Sequence, residues 1–267
     1  MAEALPREYE IPLQATAGRR GPIGSRILYF SEIGSTNDEA ARLAEEGAPE
    51  GTTVVAAAQT AGRGRFGRTW FSPPGAGLYV SVVLRDVRAA PLLTLAGGVA
   101  VAEGIRAATA LPVEIKWPND IVLDSGPGRR RKVAGILAEA STSVDRLQHL
   151  VLGIGINVRE SAYPAGIADR ATSLEGELGR EVDPGSVLAE CLAALATRLG
   201  DLAAGDSGAV LSRWIELAPS ASGSRVEWNT AGGLRTGVTA GIAADGALVV
   251  RTREDAEHIR SGPVRWL

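Results

Sequence analysis

Hydrophobic and polar positions alternate along the chain with two different periods. "RILYF", "TTVVAAAQT" and "GLYVSVVLR" carry β-branched and aromatic residues at strand spacing, and each predicts a strand. "GSTNDEAARLAEEG" predicts a helix, with Thr36 as N-cap, Glu39 completing a capping box and Gly47 just past the end. A second helix is predicted across "PLLTLAGGVAVAEGIRAAT", where Leu92, Leu95, Ala96, Val99 and Ala100 fall on one face. "VEIKW" and "IVLD" follow as short strands joined by a "PND" turn. "KVAGILAEA" and "HLVLGIGINV" then predict an antiparallel pair joined across "STSVDRLQ". Asp183 and Pro184 supply N-cap and first position for a helix to about Leu202, and "AVLSRWIELA" predicts one more.

The texture changes near residue 219 to short Gly-punctuated strands: "SRVEW", "LRTGVTAGIAADGALVVRT" and "GPVRWL". The whole predicts an α+β catalytic domain over 27–218, a mixed or antiparallel sheet with helices packed on it, and a small C-terminal SH3-like β-barrel over 219–267. Residues 1–26 are punctuated by Pro, Gly and Arg and are expected to form a loosely held tail, with no room for a helix-turn-helix before the first strand.

Composition narrows the classes of function. Hydrophobic residues at 45% and charged residues at 22% describe a folded globular protein. A formal charge of −3 argues against a general nucleic-acid binder, and 4% aromatics leave little to stack on bases. The single cysteine, Cys191, lies in the apolar helical stripe "VLAECLAALATRL" and reads as a core thiol; two histidines make no metal cluster. The start "MAEALPREYEIPL" lacks the basic and apolar runs of a signal peptide, and the most apolar stretch contains glycines and Glu103. The expected setting is cytoplasmic, away from membranes.

One stretch demands a chemical reading. "QTAGRGRFGRTWFS" places Gly62, Gly64 and Gly67 at the spacing of a dinucleotide-binding fingerprint, with Arg63, Arg65 and Arg68 between them. That fingerprint requires a following helix to receive the pyrophosphate. Here "SPPGAG" breaks any helix and a strand comes next, so the Rossmann reading fails on context. Alone, the loop reads equally as a solvated Arg/Gly segment. Other polar groups stand at strand ends and turns: Ser35, Thr36 and Asn37 in "EIGSTND", Lys116, Asn119 and Asp120 in "KWPNDI", Lys132 in "RRRKVAGIL" and Asn157 in "GIGINV". Taken singly, each has a plain structural reading as a cap, a turn or a rim lysine.

In this order, "GSTN", "QTAGRGRFGRTWFSP", "KWPNDI", "KVAGIL" and "GIGINV" resemble the biotin–protein ligase family, over residues 34–158. The form it resembles is the ligase without an N-terminal DNA-binding winged helix, so no DNA partner is expected. The resemblance implies a class II aminoacyl-tRNA synthetase-like catalytic fold. It also implies two reactions: biotin and ATP give biotinyl-5′-adenylate and pyrophosphate, and a lysine of a biotin carboxyl carrier protein or domain then takes the biotinyl group and releases AMP.

The resemblance assigns Ser35, Thr36, Asn37 and Gln59 to the ureido pocket, with Arg63, Gly64, Arg65, Lys132 and Gly135 also on biotin. Burying the ureido ring unpaired would cost about 1–3 kcal/mol per polar group, which short donors and acceptors avoid. Arg63, Arg65 and Arg68 suit charge-assisted contacts to the anionic intermediate. Lys116 is expected to stabilise the pentacoordinate phosphate and Lys132 to contact the carboxylate and phosphate region. Trp70 is expected to stack on adenine, with Asn157 at the base's edge. Mg²⁺ is implied by the triphosphate, with Asn119 or Asp120 as a ligand, directly or through water. In the second step a lysine of pKa about 10.4 is deprotonated about once in two thousand at pH 7, a penalty of about 4–5 kcal/mol, and Asp120 is the candidate base.

Three rival readings stand against this. A lipoate–protein ligase shares the fold and the acyl-adenylate chemistry, but lipoate's apolar ring does not call for the polar cluster. A non-catalytic biotin or nucleotide sensor would not need Lys116 and Arg63 to organise charge for a transition state. An RNA-binding protein using "GRGRFGR" and "GPGRRRK" conflicts with the acidic balance. An open sheet edge offers pairing to a second copy, so homodimer and monomer both stay open.

Overall fold

The computed structural model describes residues 1–124, 130–143 and 146–267. Seven strands form the main sheet: β1 (Ile27–Phe30), β2 (Thr53–Ala56), β3 (Gly77–Leu84), β4 (Glu114–Lys116), β5 (Asp120–Asp124), β6 (Arg130–Ser143) and β7 (Arg146–Asn157). Their order is β1-β2-β3-β7-β6-β5-β4. The β1–β2 pair is parallel and the other pairs are antiparallel. Both long strands of the predicted hairpin run further into "STSVDRLQ" than expected; residues 144 and 145, with the "GPGR" part of the second basic loop, lie outside the described residues.

Successive side chains of a strand face opposite ways, and the sheet is covered on both faces. Val54, Ala56, Tyr79 and Val83 face α2 (Thr36–Glu45), packing with Ala40 and Leu43. Val55, Leu78, Val80, Val82 and Leu84 face the larger core, built with α3 (Leu93–Thr109) and α5 (Pro184–Ala203). That two-sided burial is why β3 reads as an almost unbroken apolar run. α4 (Leu174–Leu178), a short helix capped by Ser173, was not legible in the pattern; α6 (Ser207–Leu217) was. No described helix is long and apolar enough to cross a membrane.

The expected tail is a correction. Residues Arg7–Arg20 form a helix, α1, lying against α5, with Tyr9, Leu13, Thr16 and Arg20 buried. Those four positions have helical spacing, but two are polar, so hydrophobic periodicity misses them. Arg20 is satisfied: its guanidinium donates to the carbonyls of Leu13, Ile23 and Gly24 at 2.8, 2.7 and 2.9 Å and to Thr16 Oγ1 at 3.1 Å. A second correction concerns α2. Its N-cap is Ser35, in extended geometry and accepting from the Asp38 amide at 3.4 Å, so Thr36 is already helical and its hydroxyl is free for other work.

The C-terminal sheet comprises β8 (Ser222–Thr230), β9 (Gly233–Ile242), β10 (Leu248–Arg251), β11 (Ala256–Ile259) and β12 (Val264–Trp266), ordered β11-β10-β9-β8-β12 and antiparallel throughout, as in an SH3-like unit. Its interior, Val226, Trp228, Leu248, Val250 and Ile259, is continuous with the main core.

Cys191 is fully buried on α5, its Sγ 3.9 Å from the Val101 carbonyl of α3, and burial pushes its pKa up to about 12. At pH 8 about one such thiol in ten thousand is ionised, against roughly one in four for an ordinary cysteine. The native protein should therefore react with a thiol-specific disulfide reagent at least ~100-fold more slowly than the denatured chain. Comparable rates in the two states would contradict this placement.

Candidate functional site

The polar residues at the start of α2 do not stand alone. Gln59 donates to Ser72 Oγ at 3.0 Å, and its Oε1 accepts from the Thr36 amide and hydroxyl at 2.8 and 3.1 Å. Ser81 Oγ lies 2.8 Å from Thr36 Oγ1 and donates to Asn37 Oδ1 at 2.5 Å. Asn37 Nδ2 donates to Glu139 Oε2 at 2.6 Å, and the same carboxylate oxygen accepts from Arg63 at 2.9 Å. Arg63 also pairs with Asp38 at 2.6 Å. A continuous relay therefore runs from Ser72 through the buried end of α2 to the arginine loop. Ser35 stays outside it, since its hydroxyl caps the helix.

Ser72, Ser81, Glu139 and Asp38 were missed by the sequence reading. Ser81 is the one aliphatic hydroxyl inside the apolar run of β3, and Glu139 the one charge after the apolar part of β6; that is the signal that could have found them.

The loop itself is a folded-back segment, not a helix start. Arg63 bridges Thr69, Gly64 N donates to the Arg68 carbonyl at 2.7 Å, and Trp70 N donates to the Gly62 carbonyl at 2.9 Å. A single 3-10 turn spans Arg65–Gly67, with exposed Phe66 in the left-handed region at φ 59°, which a bulky residue rarely adopts. β3 follows, so no helix N-terminus stands behind the loop. Arg65 stacks on the Phe66 ring at 4.9 Å and reaches Asn119 Oδ1 at 3.5 Å; burial lowers its pKa. Arg68 is exposed.

Trp70 and Lys132 form the centre. A Cβ at Gly155 would come within 2.5 Å of Trp70 Nε1, and one at Gly153 within 2.2 Å of Asn37 Oδ1. The two glycines of "GIGINV" thus admit protein side chains against the β7 backbone. Gly135, the cross-strand partner of Gly155, lies under the same indole. Lys132 Nζ sits 4.9 Å over the Trp70 ring and 2.5 Å from Asp120 Oδ1. Trp70 Nε1 is buried with no hydrogen-bond partner, a donor left available. Asn119 is held on β6, donating to the Ile136 carbonyl at 2.7 Å.

Two expected roles look different in place. Asn157 is buried and donates to the Thr172 carbonyl at 2.9 Å, so one of its two amide hydrogens is committed to holding the segment after β7. Asp120 is engaged by Lys132, and no cluster of three or more His, Cys, Asp or Glu groups among the described residues is placed to hold a metal ion.

Lys116 is half-buried at the end of β4, its Nζ 4.9 Å from the Trp266 ring centroid. Desolvation lowers its pKa, and the cations Arg130, Lys132 and Arg170 push the same way against Asp120. A cavity of about 870 Å³ is lined by the loop from Thr60 to Thr69, the Trp117–Pro118 turn, Glu139 and, from loops of the C-terminal unit, Asp245, Gly246, Ala247 and Arg260. Lys116, Lys132, Trp70 and Asn157 do not line it.

A mixed sheet thus carries an arginine loop after β2, Lys116 at the end of β4 and Lys132 on β6. The family model described as the biotin/lipoate A/B protein ligase family matches residues 29–157. The chain is 36% identical over 247 residues to the bifunctional ligase/repressor BirA of Bacillus spizizenii, covering 91% of this chain and 74% of that protein. It is 34% identical to the biotin–[acetyl-CoA-carboxylase] ligase of Paracoccus denitrificans, over 81% of this chain and 90% of that one. The biotin protein ligase of Aquifex aeolicus, solved with biotin and ATP, superposes with a TM-score of 0.75 at 31% identity, covering 91% of this chain and all of that one, 100%. The chain belongs to the biotin protein ligase family.

Overpacking of the Gly155 site should cost about 1–3 kcal/mol. Gly155→Ala is expected to lower the melting temperature by roughly 2–12 °C. In a Trp70→Ala background the same change should cost at least ~1 kcal/mol less, because the colliding ring is gone. Equal costs in both backgrounds would show that Trp70 does not rest there.

Proposed function

We propose that the chain is an ATP-dependent ligase that activates biotin as biotinyl-5′-adenylate and transfers it to one lysine of a biotin carboxyl carrier protein or domain. One observation carries this reading: the relay of short polar side chains ends on Arg63, joining a buried polar cluster to the arginine loop. The ureido ring asks for such a pocket, and the acyl phosphate for such a loop.

In the first step a carboxylate oxygen of biotin attacks the α-phosphorus of ATP. The bond from that phosphorus to the bridging oxygen breaks and pyrophosphate leaves. Two anions must approach each other, so Arg63, Arg65, Arg68 and Lys132 supply the positive charge, and Lys116 stabilises the pentacoordinate phosphate. Mg²⁺ enters with ATP as part of the substrate; Asn119 and Asp120 are the oxygen ligands the chain offers it. Trp70 stacks on the adenine, and Asn157 keeps one amide hydrogen for the base's edge.

In the second step the carrier lysine's nitrogen attacks the acyl carbon, the carbon–oxygen bond to phosphate breaks, and AMP leaves. Asp120 takes the proton from that lysine. Its availability depends on Lys132 leaving the 2.5 Å pair for the ligand's phosphate, which links base release to the presence of the adenylate. The setting is cytoplasmic, with a protein partner and no nucleic acid, in keeping with the net charge of −3.

Biotin-dependent ATP–pyrophosphate exchange tests the reading, with lipoate in parallel. Exchange is expected with biotin and not with lipoate, and Lys116→Met should lower its kcat by about 10²-fold or more. Exchange with lipoate would overturn the polar-pocket assignment. Absence of exchange with either acid would make this a binding protein.

A further inference from the structure

Lys132 and Lys116 are held in contrasting ways. Lys132 has a carboxylate partner, Asp120, as well as an aromatic one. The Lys116 side chain makes no ion pair or hydrogen bond among the described residues; the face of Trp266 is what it meets. Trp266 belongs to the other sheet, on β12 opposite Val226 of β8, and its Nε1 donates to the Ser220 carbonyl at 3.4 Å. The next residue along, Trp117, is tied to the same sheet, donating from Nε1 to the Gly246 carbonyl at 3.1 Å. The C-terminal unit therefore grips the end of β4 at two adjacent residues.

An aromatic face and a carboxylate do different things to a cation. Both attract and orient it, but the carboxylate neutralises it and must be displaced before the charge can serve a ligand. A ring quadrupole orients the ammonium and leaves its donors free, which is what a group that must meet charge developing in a transition state requires.

We propose that Trp266 is a positioning residue for Lys116, and that through it the C-terminal barrel takes part in the adenylation step itself. The inference rests on the phosphate-stabilising role proposed for Lys116 and extends it to a residue outside the catalytic sheet.

The test is biotin-dependent ATP–pyrophosphate exchange with the full chain, comparing Trp266→Phe, Trp266→Leu and Lys116→Met, each first checked for an unchanged melting temperature within a few degrees. Phenylalanine keeps a π face and should hold kcat within about 3-fold. Leucine keeps apolar cover but no quadrupole, and should lower kcat by about 5- to 30-fold with the KM for biotin moving less than about 2-fold. Leucine and phenylalanine variants of equal activity would overturn the proposal, as would a leucine variant whose loss lies in KM. If Lys116→Met is impaired while Trp266→Leu matches the unaltered chain, only the Trp266 inference falls. If Lys116→Met keeps full exchange, the reading of Lys116 falls and takes this one with it.

Discussion

The contact on which the site depends is Lys132 against Asp120 and the Trp70 ring. A ligase that joins a carboxylate to a triphosphate has to gather cations before any anion arrives, and gathered cations repel. In this protein each central cation is held by something that tolerates it: Asp120 and an indole for Lys132, Glu139 and Asp38 for Arg63, an indole for Lys116. Such partly exposed pairs contribute only about 0–1 kcal/mol to stability. Their consequence is positional, because they fix where charge stands while the site is without ligand. The indole over Lys132 in turn depends on Gly155 and Gly135, since a side chain at either would occupy its place.

The same logic explains the polar relay. Buried hydroxyl and amide groups must be satisfied, or each would cost about 1–3 kcal/mol. Thr36, Asn37, Gln59 and Ser81 satisfy one another, and the chain leads to Glu139 and so to Arg63. On the proposed reading, a ureido ring bound here would exchange partners with groups already hydrogen-bonded. Any change at Asn37 reaches Arg63 through one carboxylate oxygen, so pocket and loop share a connection that neither motif displays by itself.

That sharing is also where the sequence ceases to be legible. "GSTN", "GRGRFGR", "KWPND" and "GIGIN" locate the site because local chemistry concentrates there: caps, glycine freedom, turns. Ser81 and Glu139 belong to ordinary strands, and their importance comes from register, Ser81 opposite Gly153 and Glu139 opposite Val151, which only pairing reveals. α1 stayed hidden for a related reason. Its buried stripe ends in Thr16 and Arg20, and a buried arginine is acceptable only when carbonyls from a following turn come to meet it. The strands and long helices, whose signal is apolar period alone, read well; Trp266 over Lys116, a contact between residues far apart along the chain, did not read at all.

The C-terminal sheet looked like an appendage in sequence because its texture differs from what precedes it. Packing argues otherwise. Val226, Leu248 and Val250 belong to the same buried cluster as Leu95, Ile115 and Trp117, so removing the unit would uncover part of the main core. A truncated chain would lose activity through exposed apolar surface whether or not the barrel has a chemical role, at about 25 cal/mol for each Å² returned to water. Point changes at the contact surface avoid that confusion, because the Lys116–Trp266 face and the Trp117–Gly246 hydrogen bond lie at the junction, where side chains of one unit meet the other. The barrel is part of the catalytic domain's packing first, and what it contributes to chemistry must act through the end of β4 that it holds.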